Sequence, residues 1–509
     1  MGCISFQASF IVLQDNMIPT FSERRMLLVG AVLCVIAAWF TIGYHHPDEH
    51  FQILEFANYK LGRIPASDLP WEFPAQIRPG LQPFLAYGIV LGADALGISN
   101  PFVQVFFMRL LCAAAALFVY WSWSKWLVRD LENKASILWM RLGLLFFWLM
   151  PYLNVRFTSE NTSAICFFGG LLLLLQSFET QASRFNWKLV LAGLLLGLSF
   201  FFRYQIAFAG IGLGAWLLFQ NRLTGSAWVA IFLGSSFAIC LGLATDFWLY
   251  NEWVFAPYNY FFSNIVEGKA AGFGVEPVWW YLTEMPMALI PPLSLILLAF
   301  FGIGIWQKAR HPLTWCVVPF ILAHSLVAHK EVRFLFPLAM PFFFLATAGW
   351  QYFQAKYTVK KWMTTTILFC FGINAILLVT RIFTPAEDRV YYSKFLWDWH
   401  QIHPESTVYF VKKEPRKRFP LNTPFYENPQ QRQLSWYTDP AYKNDTTALR
   451  PGDLMLFTEI LSPVPEAPPG FRLKREFAKY PDWILRNNTN GWQGRTRIWG
   501  VYQLVKEGL

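Results

Sequence analysis

The stretch HPDEHFQILEFANYK, His46–Lys60, decides how this chain must be read, because of what stands before it. It follows directly on RRMLLVGAVLCVIAAWFTIGY (24–44), a long apolar run opened by two arginines. Asp48 and Glu49, with His45, His46 and His50 around them, lie where a membrane helix should be leaving the bilayer. A charge inside the hydrocarbon costs about 2.5–3.5 kcal/mol on insertion scales, so acids kept at that depth call for a reason.

The whole chain has the composition of a polytopic membrane protein. Of its 509 residues 55% are hydrophobic and only 15% charged, where a soluble domain carries roughly 25% charged residues. Apolar runs long enough to span recur at 26–44, 101–124, 137–151, 160–178, 189–202, 205–220, 226–246, 286–306, 313–328, 333–351 and 362–383, about eleven helices. Arg24 and Arg25 precede a run too long for a signal core, and no small-residue cleavage site follows, so 26–44 reads as a retained helix. The net charge of +10 is no sign of nucleic acid, since the basic residues fall in short clusters between apolar runs. The seven cysteines stand at no metal-ligand spacing, and all but Cys3 lie inside apolar runs. They read as packing residues, without a zinc site or a disulfide framework.

Orientation follows from the same clusters. With Arg24 and Arg25 inside, Lys125 with Arg129 and Lys134, Arg184 with Lys188, Arg222, Lys308 with Arg310, and Lys356 with Lys360 and Lys361 all fall on the inner side. LQPFLAYGIVLGADALG (81–97) is apolar enough to span, but a span there would reverse every later cluster. It is therefore expected as a hairpin or interfacial helix on the outer side. Residues 1–383 form the membrane domain on this reading. Residues 384–509 are mixed polar with Pro-rich turns, and STVYFVKK, DLMLFTEI and TRIWGVYQLV alternate like strands, which predicts a small soluble α/β or α+β domain. The run KKEPRKRFP (412–420) reads as a solvated basic surface.

The outer face then gathers the chemistry. Pro47 suits a first helical position with His46 as cap, and acids in a first turn complement the helix dipole. The alternative is that one carboxylate is a general base. Adjacent helical residues point about 100° apart, so both acids cannot face one substrate, and Asp48 is favoured over Glu49. Arg78, Arg156, Arg203, Lys330 and Arg333 sit at outer helix ends, where they either snorkel or together bind an anion such as a phosphate. The loop 245–282 is dense in aromatics, which fits an interfacial belt. Asp246, Asn259 and Asn264, with Gly272-Phe273-Gly274, add polar groups of the kind a sugar site uses.

HPDEHFQILEFANYKLG, PWE (70–72), RPGLQP (78–83), FAPYNYFFSN with GFG and WWYL, and HKEVRFLFP (329–337) together resemble glycosyltransferase family 22. These are the polytopic mannosyltransferases, among them the enzyme adding the third mannose of the glycosylphosphatidylinositol anchor and the α-mannosyltransferases of the lipid-linked N-glycan precursor. The resemblance implies a GT-C fold and inverting transfer from a polyprenyl- or dolichyl-phosphate sugar, usually mannose, to a glycan or glycolipid acceptor, with no metal or other cofactor. It gives Asp48 the role of base, and His329, Lys330 and Arg333 a place near the donor phosphate. The chain departs from the family pattern at Arg78-Pro79, where Arg-Ser is usual, and at Glu160, where Ser163 holds the usual glutamate's position.

Two other readings stand beside it. One is a related GT-C enzyme that moves another sugar or modifies protein. The other is a non-enzymatic carrier of lipid-linked sugars, although transporters place polar residues near the midplane and often show repeated halves. The sequons at Asn161, Asn444 and Asn487 would face outward. The cysteine-free tail leans toward a bacterial inner membrane with a periplasmic site, the alternative being the endoplasmic reticulum with a lumenal one.

Overall fold

A computed structural model describes residues 23–179, 185–220, 223–412, 423–439, 441–458, 465–496 and 498–507. Cys3, Arg184, Arg222 and the basic run from 413 onward lie outside the described residues. The chain divides into two compact units. One holds the described residues up to Thr41 and His46–Thr384; the other holds Ile42–His45 and the chain from Pro385.

The first unit is helical throughout. Its main helices are α1 (Glu23–Phe40), α2 (Leu81–Ala95), α3 (Pro101–Trp126), α4 (Lys134–Phe146), α5 (Ser159–Glu179), α6 (Trp187–Phe202), α7 (Ala207–Gln220), α8 (Gly225–Tyr250), α9 (Leu293–Gln307), α10 (Pro312–Leu326), α11 (Ala339–Lys356) and α12 (Lys361–Phe383). Five helical stretches, Pro101–Asp130, Ser159–Phe178, Gly225–Tyr250, Val332–Lys356 and Lys361–Phe383, are long and apolar enough to cross a membrane, and four shorter apolar helices accompany them. The chain is a membrane protein. Leu368, Phe369 and Ile376 on α12 are 56–70% exposed, as side chains facing lipid would be.

Local chemistry sets the boundaries. Asn100 caps α3 by accepting the Phe102 N–H, with Pro101 at the first position. The run expected as one helix at 137–151 breaks at the extended Phe147 into α4 and a short helix Met150–Asn154. The 286–306 run starts earlier, as Trp280–Ala288, and then breaks before α9. Where a span was expected from 333, a 3-10 turn Val332–Leu338 containing Pro337 leads into α11. Residues 81–95 form one continuous helix rather than a hairpin. Among the described residues six cysteines are free, and four of them, Cys34, Cys112, Cys316 and Cys370, are buried.

Glycines let helices touch backbone to backbone, which lipid-embedded packing favours. On α9 and α11, a Cβ at Gly304 would stand 1.8 Å from the Leu345 carbonyl oxygen, and one at Gly349 1.9 Å from that of Phe300. The crossing of α6 with α8 is as close, through Gly193 and Gly234.

The second unit is a mixed α/β domain. Strands β1 (Val408–Lys412), β2 (Gln433–Tyr437), β3 (Leu454–Phe457), β4 (Phe471–Ala478) and β5 (Gly500–Lys506) form one sheet in the order β2-β1-β3-β5-β4. β1 pairs parallel with β2 and β3, and β5 pairs antiparallel with β3 and β4. Helix α13 (Asp388–Ile402) covers one face, with Leu396 among Val408, Leu454, Leu456 and Val501. The alternating stretches in the sequence correspond to β1, β3 and β5, while β2 and β4 give no comparable signal.

The glycine contacts are testable. Gly304→Leu and Gly349→Leu should each lower the thermal midpoint of the detergent-solubilised protein by several degrees, overpacking costing typically 1–3 kcal/mol. Gly302→Leu, in open space on the same helix, should leave it unchanged. Equal midpoints for all three variants would show that the crossing is not close-packed.

Candidate active site

The opening motif folds as three short pieces: Pro47–Glu49, a π-helical turn His50–Leu54, and Glu55–Lys60. Pro47 occupies the first turn, and the Asp48 N–H donates to His46 Nδ1 at 3.3 Å. His46 Nδ1 also stands 3.4 Å from Asp48 Oδ1. Asp48 and Glu49 then diverge. Glu49 is buried with its carboxylate 3.8 Å from Arg156. Asp48 turns toward Arg333, whose Nη2 donates to its Oδ2 at 2.9 Å, and Arg78 lies 3.8 Å from the same oxygen.

Arg333 joins the distant parts of the sequence. Besides Asp48 it donates from Nη1 to Glu160 Oε1 at 2.9 Å, and from Nε and Nη2 to the two oxygens of Glu331 at 2.5 and 3.0 Å. The first outer segment, the start of α5 and the HKEVRF segment therefore converge on one guanidinium at one end of the bundle. Glu160 also forms an ion pair with Arg203 at 3.0 Å, and Ser159 Oγ accepts from the same guanidinium at 3.0 Å. Glu331 is further contacted by His329 at 3.0 Å and His46 at 3.4 Å.

The charges are strongly coupled. Burial pushes the Asp48 carboxyl upward, but Arg333, His46 and Arg78 outweigh it and hold it well below the usual carboxylate range. Burial likewise raises Glu331, and the hydrogen bonds and charge of Arg333 bring it down to about 2. A carboxyl depressed in the folded state stabilises the fold above its unfolded value, and that contribution fades as pH falls through the folded one, about 2 for Glu331.

Asp48, Glu49, Arg78, Glu160 and Arg203 line a crevice with Gln52, Gln82, Tyr204, Gln205 and Tyr260. It is tight, about 30 Å³, which suits a water or two rather than a sugar ring. Arg333 stands behind Asp48 and Glu160 and does not line it. Arg78 is fixed from the rear. Tyr250 accepts the Arg78 N–H and donates to its carbonyl, while the Gly80 N–H donates to Asp246 Oδ1 at 2.7 Å. A Cβ at Gly80 would lie 2.2 Å from the Thr245 carbonyl, so the RPG strap requires glycine there. Gln52 donates to Glu72, whose carboxylate faces Arg78 at 3.7 Å.

Several expected ligands make contacts within the protein. Asp246 is fully buried inside α8 as the acceptor for Gly80, not part of a sugar platform. Asn259 and Asn264 donate to the backbone carbonyls of Gln76 and Tyr260. Arg156 is 1% exposed and holds the Thr41 carbonyl and hydroxyl. Lys330 gives its ammonium protons to the carbonyls of Glu276 and Val327 at 2.8 and 2.6 Å, clamping the loop before Arg333. His329 lies against Phe273 of the GFG segment, outside the crevice. Ser163 donates to the Ser199 carbonyl between α5 and α6, and Asn161 of the first sequon is buried with its amide on the Leu153 and Arg156 carbonyls.

Other residues went unselected and belong to the site. Glu160 reads in sequence as a departure from a motif, yet it bridges Arg203 and Arg333. Glu331 lies inside a motif already singled out. Tyr260 carries the Arg78 guanidinium over its ring at 5.7 Å and receives a hydrogen bond from Gln205 at 2.5 Å. An acid beginning a helix whose neighbours are arginines was the available signal for Glu160. Among the described residues, no group of three His, Cys, Asp or Glu side chains could hold a metal ion.

Residues 26–431 match the model of the Alg9-like mannosyltransferase family. The chain is 26% identical over 375 residues to GPI mannosyltransferase 3 of Yarrowia lipolytica, which covers 72% of this chain and 69% of the relative. It is 25% identical to GPI mannosyltransferase 4 of Saccharomyces cerevisiae, covering 67% of each. It is 23% identical to GPI alpha-1,2-mannosyltransferase 3 of Bos taurus, covering 65% of this chain and 58% of that one. A crystal structure of ArnT from Cupriavidus metallidurans bound to undecaprenyl phosphate superposes with a TM-score of 0.48 at 11% identity, covering 94% of this chain and 97% of that one. The family model spans most of the sequence and every segment that meets at Arg333, which sets aside the non-enzymatic carrier: the chain is a glycosyltransferase and belongs to the Alg9-like mannosyltransferase family.

Proposed function

We propose that the chain is an inverting GT-C mannosyltransferase that takes mannose from a polyprenyl- or dolichyl-phosphate donor and adds it to a lipid-linked glycan at the outer face of the membrane, with Asp48 as general base. The observation that carries this reading is the Asp48 carboxylate, held by Arg333 and faced by Arg78 in a crevice where the helices end. The names of the relatives, GPI mannosyltransferases 3 and 4, support mannose as the sugar and a glycolipid as the acceptor. Their organisms are eukaryotic, which supports a lumenal site in the endoplasmic reticulum over a periplasmic one.

The chemistry follows from the placement. An acceptor hydroxyl is a weak acid, so a carboxylate can take its proton only as the glycosidic bond breaks. The departing phosphate gains negative charge as it leaves. Arg78 and Arg203 line the crevice and are the guanidiniums that such a charge would meet. An arriving phosphate competes with Asp48 for Arg78. Drawing that cation away raises the proton affinity of Asp48, so donor arrival readies the base. His46, Arg333 and Glu331 then hold Asp48 in place without touching the sugar.

Asp48→Asn should lower mannosyl transfer at least 100-fold, in keeping with the loss of a general base. Membrane insertion should stay near the wild type, with a lowered but still cooperative thermal midpoint because an ion-pair partner of Arg333 is lost. Transfer from a defined polyprenyl-phosphate mannose donor to a lipid glycan acceptor, assayed in proteoliposomes, measures this. Activity within a few-fold of wild type would take Asp48 out of the chemistry.

The pH profile gives a second check. Because Asp48 must be ionised and its cationic neighbours keep it so, the wild-type acid limb should lie below the ordinary carboxylate range. Arg78→Gln removes one of those cations, and the limb in kcat/KM should move to higher pH alongside a loss of activity. Superimposable acid limbs would mean that Arg78 does not set the protonation of the base.

A further inference from the structure

The inner end of the same bundle holds a second cavity, of about 690 Å³, that the transfer reaction does not use. Its place follows from α5. Glu160 lines the crevice at one end of that helix and Phe178 the cavity at the other. The 18 residue steps from one to the other rise about 27 Å at 1.5 Å each, close to the hydrocarbon thickness of about 30 Å. The cavity therefore opens near the opposite membrane surface, on the side of Lys125, Lys134, Lys356, Lys360 and Lys361. That is the side which the charge pattern places inside.

Its lining is cationic above and apolar below. Arg129, Lys308 and Arg310 bring three positive charges against the single carboxylate of Asp130. Arg129 and Lys308 have fixed side chains, and the backbone of Arg310 is held. Arg129 lies over the Trp126 ring at 3.5 Å, Lys308 donates to the Asp130 carbonyl at 2.8 Å, and Trp216 donates to the Arg310 carbonyl at 3.1 Å. Leu175 and Phe178 complete the wall on the bilayer side.

His311 adds an independent observation. Its side chain is only 9% exposed and lines the cavity. Nδ1 accepts the Leu313 N–H at 3.2 Å as the cap of α10, so the neutral ring has its proton on Nε2. That Nε2 makes no hydrogen bond, and neither does Asp130 Oδ2, 3.8 Å away. Arg129 Nε stands 3.7 Å from the same oxygen, so Asp130 is already faced by two groups, while His311 Nε2–H makes no hydrogen bond and is left to give to a ligand.

We propose that this cavity binds the head group of an anionic phospholipid of the inner leaflet. The phosphate sits among Arg129, Lys308 and Arg310 and accepts from His311. A head-group hydroxyl or ammonium donates to Asp130, and the first methylenes of the acyl chains lie along Leu175 and Phe178. A basic pocket between helix ends on the inner side suits such a ligand in charge, in depth and in its polar-to-apolar gradient.

The test uses the full-length protein in detergent, with phosphatidylglycerol and phosphatidylcholine of the same chain length as probes and native mass spectrometry and thermal midpoint as readouts. The wild type should retain phosphatidylglycerol in preference to phosphatidylcholine and be stabilised by it. Arg310→Gln, at an exposed position, should retain at least five-fold less, Arg310→Lys should keep most of the binding, and Arg129→Gln should repeat the loss. Lys360→Gln with Lys361→Gln, on the same face but outside the cavity, should bind as the wild type does. Three results would overturn the proposal: equal retention of the two lipids, a loss in the Lys360 and Lys361 control as large as in Arg310→Gln, or the same stabilisation by soluble glycerol phosphate, which would make this a site for small anions.

Discussion

The outer end of this protein is organised by one guanidinium shared among three carboxylates. Arg333 meets Asp48, Glu160 and Glu331, which come from three separate regions of the chain. Arginine alone among the side chains offers five donors in a rigid planar fork, always charged, and can hold three acids in fixed relative positions. Remove that cation and three partly or wholly buried acids face one another without compensation. Loss of one partner from a buried pair costs about 3–5 kcal/mol, chiefly through the charge left behind. The position of the proposed base is therefore a property of the bundle's closure and not of the local HPDE turn.

A shell of hydrogen bonds to the backbone supports those charges. Lys330 does not reach an anion; its ammonium is held by two backbone carbonyls and fixes the loop that delivers Arg333. Asp246 and Tyr250 on α8 fix the strap that delivers Arg78. Two arginines are thus aimed from elements that could otherwise drift. The aiming is done by residues which, read in isolation, have the same chemistry as ligands.

That is also where sequence reading reaches its limit. The spans were legible because a hydrophobic run of about 20 residues has few alternatives, and the broken runs at Phe147 and before α9 show how local backbone geometry interrupts them. The convergence of HPDE, RPG and HKEVRF was legible as shared sidedness. The division between charges that face the crevice and charges that brace it was not, because helical spacing fixes a face and not a partner. Glu160 illustrates this. It looked like a misplaced motif residue, and only its two arginine neighbours from α6 and the 3-10 turn reveal it as a bridge. In the second unit β2 and β4 give the weaker signal for a similar reason: both are edge strands, where no residue is fully buried.

The near balance of charge explains how so many ionisable groups persist at a membrane end. Around the crevice Asp48, Glu72, Glu160 and Glu331 stand against Arg78, Arg203 and Arg333, so the cluster is within about one charge of neutral and most of its desolvation is offset internally. A balanced cluster is also a sensitive one. A phosphate entering it adds an anion that the existing pairs were not arranged to neutralise, and some pair must loosen to receive it. The cation that both lines the crevice and contacts Asp48 is Arg78, at 3.8 Å, looser than the 2.9 Å contact of Arg333 behind it. In a crevice of about 30 Å³ that loosening and the admission of a sugar have to be one event. The geometry that keeps the acids ionised at rest thereby makes the strength of the proposed base depend on whether a charged donor is present.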